Sequence, residues 1–311
     1  MLSKLQYLIH PFSTIAKIID DGISRLKMET IQSDLFYKVE RLNDKTLNSS
    51  EKGVSNEPIS DKEVIVSLTS YGPRIYEVYL AIESIMQGTI KPNRIILWLS
   101  KDEFINQQIP ITLQKQKKRG LEIEFCDELF SYKKIIPALK AFPDSNIITI
   151  DDDLIYSFDL VENLLNCHQR FPNCICASRI HTMTKNTDGS LKSYLQWDFE
   201  QGRKKELSHL FFFTGGGGTL FPPKSLDRNV FDSETFLKIC RTADDVWLNA
   251  MARLQKTPIV KSYTHNPKGN DFIINSRIQD QGLCQINCDP KNPQNDVQIK
   301  AVFEKYKIKM S

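Results

Sequence analysis

Ile147-Ile148-Thr149-Ile150-Asp151-Asp152-Asp153 is the stretch that decides how this chain folds. Four apolar or β-branched residues without polar alternation match a strand buried on both faces. The run passes directly into three carboxylates. Upstream, comparable runs recur: Val64-Ile65-Val66-Ser67-Leu68-Thr69 predicts a first strand, and Ile95-Ile96-Leu97-Trp98-Leu99 a second. The alternating Leu121-Glu122-Ile123-Glu124-Phe125 predicts a third. Between them, residues 75–87 carry apolar side chains at helical spacing (Ile75, Val78, Tyr79, Ile82, Ile85, Met86) and stop at Gly88. Polar residues 102–118 include a helix, and Ile135 to Phe142 read as a short one. Strands alternating with helices imply parallel pairing, hence a Rossmann-like α/β fold with a mostly parallel central sheet flanked by helices.

The rest of the chain is organised around that unit. Residues 1–45 repeat apolar side chains at helical spacing and read as two amphipathic helices interrupted at His10-Pro11. Residues 46–61 turn polar and read as a linker, so that 62–311 form the main domain. Acidic and basic side chains balance in the N-terminal segment. Packing on the main domain or on another subunit is therefore the plainer role for 1–45, with peripheral contact at a membrane surface as the alternative.

Composition narrows the function. A net charge of +3 over 311 residues is too dilute for a dedicated nucleic-acid surface, so no nucleic-acid partner is expected. Seven cysteines, an odd number set mostly inside apparent structural elements, suggest free thiols in a reducing compartment. Cys167, His168, Cys174 and Cys176 fit structural-zinc spacing poorly. With neither an apolar run of membrane-spanning length nor a secretory leader, the simplest reading is a cytoplasmic protein, with the inner face of a membrane as the place for peripheral contact.

Three adjacent carboxylates repel one another unless a positive charge is near. At the carboxyl end of a strand in an open α/β sheet, where ligands bind, a hard divalent cation is the natural partner. In an extended segment Asp151 and Asp153 would face one side and Asp152 the other. The competing reading is a solvated turn capping a helix over 158–170.

Asp151-Asp152-Asp153 resembles the DxD motif of nucleotide-sugar glycosyltransferases of the GT-A type, placed after the strand where that fold carries it. The stretch Ser67-Leu68-Thr69-Ser70-Tyr71-Gly72-Pro73-Arg74 is similar to the first strand and nucleotide loop of bacterial capsule and lipopolysaccharide polysaccharide-biosynthesis transferases. So is Ser84 to Pro92. The resemblance covers roughly residues 62–256. It implies Mn²⁺ or Mg²⁺ held by Asp151 and Asp153, with His265 as an additional ligand. It also implies a UDP-sugar donor contacted by Thr69, Tyr71, Arg74, Lys133, Lys134, Asp151 and Asp152. A glycan or lipid-linked glycan would be the acceptor.

Two later motifs complete the expectation. Phe211-Phe212-Phe213-Thr214-Gly215-Gly216-Gly217-Gly218-Thr219 lacks the Lys-Ser/Thr of a P-loop. It resembles the glycine-bearing loop beneath the donor sugar, with Gly216, Gly217 and Gly218 against donor or acceptor; a plain hinge is the alternative. Thr242-Ala243-Asp244-Asp245 matches a capping box for a helix over 243–254. It also resembles the family's xED motif, in which the final carboxylate is the catalytic base. That implies Asp245 as base, Asp244 on acceptor hydroxyls, and an inverting displacement. Arg179 and His181 read as structural, or as lining an acceptor pocket. A metal-dependent nucleotidyltransferase and a non-catalytic glycan- or nucleotide-binding module are the rival readings.

Overall fold

The computed structural model describes residue 30 and residues 32–199, 210–265, 271–281 and 283–308. Two compact units divide between Lys45 and Thr46. In the first, residues 32–45 are helical; the expected helix ahead of them lies outside the described residues. No described helix is long and apolar enough to cross a membrane.

The described residues of the second unit form twelve strands: β1 Val64–Thr69, β2 Arg94–Ser100, β3 Leu121–Cys126, β4 Asn146–Thr149, β5 Leu154–Tyr156, β6 Ile175–Ala177, β7 Ile180–Thr182, β8 Asp198–Phe199, β9 Phe211–Phe213, β10 Thr219–Phe221, β11 Ile259–Lys261 and β12 Phe272–Ile274. Seven form the central sheet in the order β11-β6-β10-β4-β1-β2-β3. The expected α/β architecture is present. The neighbours β4, β1, β2 and β3 pair in parallel, because the helices between them carry the chain back across the sheet. Only β10 runs antiparallel, to β4 on one side and β6 on the other. Two small sheets, β12-β5 and β8-β7-β9, flank this one.

The strands read from sequence are the sheet's core: Val64, Ile65, Val66, Leu68, Ile95, Ile96, Leu97, Ile147 and Ile148 are fully buried. Several helices are shorter than their periodicity suggests. The 75–87 helix is a 3₁₀ turn, Gly72–Tyr76, followed by an α-helix Tyr79–Met86. The 102–118 region is two short helices, Lys101–Phe104 and Ile111–Lys117, the second starting immediately after Pro110, whose ring cannot continue a helix. Residues 49–61 contain no helix or strand but are tied to the main body. Gly53 and Ser55 N–H donate to the carbonyls of Arg119 and Pro92, and Arg119 Nε to that of Glu51. The six described cysteines are all free thiols.

Register sets the site. Thr219, Leu220 and Phe221 pair with Thr149, Ile148 and Ile147. An antiparallel strand begins where its parallel neighbours end, so the glycine loop entering β10 lies beside Asp151 leaving β4.

Candidate active site

The acidic triplet is a turn, not an extended segment. The alternation expected for Asp151 and Asp153 therefore fails. Asp152 and Asp153 both turn to Arg74, whose Nη1 is 2.7 Å from Asp152 Oδ1 and whose Nη2 is 3.3 Å from Asp153 Oδ2. Asp151 turns the other way, with Oδ1 2.8 Å from Lys134 Nζ. Nor is the triplet a helix cap: β5 intervenes, and the helix Leu160–Arg170 begins after Asp159. The charge compensation that the sequence attributed to a metal is supplied in part by the protein's own Arg74 and Lys134.

Asp152 is the buried member. Besides Arg74 it accepts the Ser70 hydroxyl at 2.7 Å. Burial is the largest influence on it and, against the pull of Arg74, pushes its pKa up to about 6. Arg74 also donates to Ile278 O at 3.1 Å, and Asn275 N–H donates to Asp153 O at 2.8 Å, so residues 275–278 lie against this corner. Arg74 is thus committed to carboxylates, and its guanidinium lies 5.2 Å from the Tyr71 ring centroid. Thr69 Oγ1 donates to Trp98 O on the neighbouring strand.

On the other side Lys134 joins the two acidic motifs. Its Nζ is 2.8 Å from Asp244 Oδ2 as well as from Asp151, the Asp244 contact being an ion pair without hydrogen-bond geometry. Burial lowers the lysine's pKa, but Asp151, Asp244 and Asp245 outweigh it and leave the ammonium well above its ordinary value. Lys133 points elsewhere, to Glu128 at 2.6 Å. The Lys134 turn is fixed from below: Ser67 Oγ donates to Lys134 O at 2.6 Å and accepts Trp98 Nε1 at 3.0 Å.

Asp244 and Asp245 open the helix Asp244–Leu254. The capping box predicted for Thr242 is not made. Ala243 is the N-cap and has no side-chain cap, while Thr242 Oγ1 bonds Asn287 and Gln298 on C-terminal elements. That frees Asp245, whose Oδ1 accepts Gly215 N–H at 2.7 Å. Burial, then the adjacent Asp244 charge, pushes the pKa of Asp245 up to about 7, with Lys134 and the Gly215 N–H opposing. A carboxyl poised near neutrality suits proton transfer.

The glycine loop is closely fitted. A Cβ on Gly216 would stand 1.9 Å from Asp151 Oδ2, one on Gly215 2.9 Å from Asp245 Oδ1, and one on Gly217 2.5 Å from Arg179 Cβ. Gly218 has φ +99, a conformation that L side chains avoid. The hinge reading is replaced by a steric one: the backbone must lie flat against two carboxylates. Gly216→Ala is expected to displace Asp151 and cut turnover by about 10²-fold. A crystal structure of that variant with Asp151 unmoved would contradict this.

Tyr156 is the site residue that sequence reasoning missed. Its hydroxyl accepts Asp151 N–H at 2.8 Å and donates to Gly216 O at 2.5 Å, pinning triplet and glycine loop to each other. Its position five residues beyond Asp151, in the apolar Leu154-Ile155-Tyr156, reads only as core. Tyr156→Phe removes the partner of the buried Gly216 carbonyl and of the part-buried Asp151 N–H, and a loss of about 1–3 kcal/mol is expected. Urea denaturation measures it, and a change below ~0.5 kcal/mol would exclude the pinning role.

The remaining predicted residues have other partners. His265 is exposed, and its backbone N–H donates to Asp159 Oδ2 at 2.7 Å. Among the described residues no three His, Cys, Asp or Glu side chains converge as a metal-holding group. His181 is buried against Phe199, 4.4 Å between ring centroids, and burial pushes its pKa down to about 3. That is a structural histidine.

The donor chemistry at the triplet nevertheless fits a hard cation. Asp151 and Asp153 keep 37% and 18% of their side-chain surface open, whereas Asp152 keeps 6% and is fully engaged. Mg²⁺-type ions are commonly held by one or two carboxylates, with phosphate oxygens and water completing the shell, rather than by a closed protein cage.

No known protein family matches the chain by sequence, and no curated protein matches it. Solved structures are similar at low levels. Apo UDP-glucose pyrophosphorylase aligns at 10% identity over 79% of this chain and 98% of that chain, with TM-score 0.39. The mannosyltransferase PcManGT from Pyrobaculum calidifontis, in complex with GDP-Man and Mn²⁺, aligns at 13% identity over 73% and 61%, with TM-score 0.39. A putative nucleotide-diphospho-sugar transferase from Desulfovibrio desulfuricans G20 aligns at 12% identity over 64% and 79%, with TM-score 0.36. At such likeness, function has to be argued from the site's own residues.

Proposed function

We propose that the chain is a metal-dependent glycosyltransferase of the GT-A type. It would move a sugar from a UDP-linked donor to a glycan or lipid-linked glycan acceptor in cell-surface polysaccharide synthesis, with inversion. The observation that carries this reading is the meeting of two acidic motifs, Asp151 and Asp244-Asp245, around one buried ammonium and a glycine loop with no room for a side chain.

Asp151 and Asp153 would hold Mn²⁺ or Mg²⁺, which when bound neutralises the leaving diphosphate as a Lewis acid. Gly215 and Gly216 let the loop backbone lie directly against Asp245 and Asp151, and so hold the two carboxylates close together. Asp245 accepts the proton of the acceptor hydroxyl as its oxygen bonds to the anomeric carbon. The anomeric carbon–phosphate oxygen bond breaks, and the nucleoside diphosphate departs with that electron pair. Lys134 holds Asp244 and Asp151 in register, and Asp244, turned to Lys134, acts on the acceptor through that positioning. Asp151 and Asp244 are both paired with Lys134, which leaves Asp245 as the base of a single displacement.

Incubation with a UDP-sugar panel and Mn²⁺ tests the assignment: UDP release that rises on adding glycan acceptors supports it. Pyrophosphate release from a nucleoside triphosphate would instead establish the nucleotidyltransferase, and retained nucleotide binding without turnover the non-catalytic module. Because Asp245 is raised to about 7, kcat/KM is expected to climb with pH through about 7 as the base ionises. Stability should move oppositely. The folded state holds this proton more tightly than the unfolded one, so Asp245 weakens the fold as pH rises from about 4 to about 7. A flat pH–rate profile from 5 to 8 would remove Asp245 as base.

A further inference from the structure

Outside the acidic centre, the 3₁₀ turn Phe130–Lys134 and the segment 240–244 run side by side and are joined at three levels. At the buried end Lys134 meets Asp244. In the middle the Tyr132 hydroxyl donates to Cys240 O at 2.5 Å. At the surface the Arg241 guanidinium lies over the Phe130 ring, 4.2 Å from its centroid.

This outer pair has features that core packing does not require. Phe130 is 38% exposed and has φ +53, a left-handed backbone that a bulky residue avoids. The conformation is braced by Glu128, whose Oε1 accepts Phe130 N–H at 2.5 Å while its carboxylate holds Lys133. Strain maintained by its surroundings, at the edge of a site, points to use. Arg241 is exposed, and among the described residues no carboxylate pairs with it. The other cations nearby are engaged: Lys133 by Glu128, Lys134 by Asp151 and Asp244, Arg74 by Asp152 and Asp153.

We propose that Phe130 and Arg241 form an acceptor subsite for a sugar bearing an anionic group, a carboxylate or a phosphate. The C–H face of the pyranose lies on the open part of the Phe130 ring. The two oxygens of the anion accept parallel N–H bonds from the guanidinium. Five carboxylates at the centre would repel an acidic acceptor, and a guanidinium on the rim offsets that repulsion and fixes which end of the acceptor enters. The subsite rests on the reading of Asp245 as the base, four residues along the chain, but its test does not depend on turnover.

NMR titration of the full chain, without donor, compares cellobiouronic acid, N-acetylglucosamine 1-phosphate and neutral cellobiose. At least one anionic probe should bind about tenfold or more tighter than cellobiose, and the stronger of the two identifies the carboxylate or the phosphate as the natural group. Arg241→Gln should erase the preference, and Arg241→Lys should retain part of it. Phe130→Gly should weaken binding of the sugars while raising thermal stability, because glycine relieves the left-handed strain. Equal binding of charged and neutral probes, no binding of either anion, or an unchanged preference in Arg241→Gln would overturn the subsite. If the anionic probes bind through Arg241 but no UDP-sugar is ever turned over, the subsite stands and the transferase reading falls.

Discussion

Asp245→Asn is expected to lower kcat by about 10²–10⁴-fold with little effect on donor binding and none of the instability that usually accompanies change at a buried charge. The amide oxygen of asparagine can still accept Gly215 N–H, so the glycine loop keeps its anchor. What is lost is the ability to take a proton. Burial and Asp244 disfavour the ionised form of Asp245, so removing that charge relieves repulsion, and the variant should be as stable as the parent at pH 8 or more so. Measured together, urea denaturation and single-turnover transfer separate a base from a structural carboxylate. A variant that loses stability and activity in proportion would mark Asp245 as structural.

The second large effect belongs to Asp151→Asn with Asp153→Asn. Changes in the outer shell of a metal site already cost about 10–100-fold, so loss of two ligands should abolish metal-dependent binding of a UDP-sugar. The fold should survive, because Asp152 retains Arg74 and Ser70, and Lys134 retains Asp244. Calorimetric titration of the donor with and without Mn²⁺ reads the first part, and the melting temperature the second. Transfer at the parent rate in this double variant would end the proposed role of the triplet. These outcomes are independent of Asp245→Asn, so base and metal site can fail separately.

Much of the fold was legible along the chain because its causes are local. Buried parallel strands need continuous apolar runs, and Val64–Thr69, Arg94–Ser100, Leu121–Cys126 and Asn146–Thr149 lie where the sequence places strands. Asp151 and Asp245 stand out in the sequence for their chemistry, and the resemblance implied that both serve one site, but nothing local showed that Lys134 and the glycine loop join them. Some local rules misled. Thr242 has capping-box spacing, yet a tertiary partner outcompeted the cap: Asn287 and Gln298 take its hydroxyl. The alternation of Asp151 and Asp153 failed because the strand ends before the triplet begins.

What the sequence determined by itself was the α/β class, the strand that delivers the triplet and the residue types able to hold a cation or carry a proton, since these follow from periodicity and side-chain chemistry. Only the tertiary structure decided which charges meet. The reversal of β10 in the sheet sets the glycine loop beside Asp151, and one lysine rather than its neighbour reaches both acidic motifs. The physical reason is that ion pairs and steric clearances act over a few ångströms, between residues as far apart along the chain as Lys134 and Asp244, and no local pattern encodes that distance.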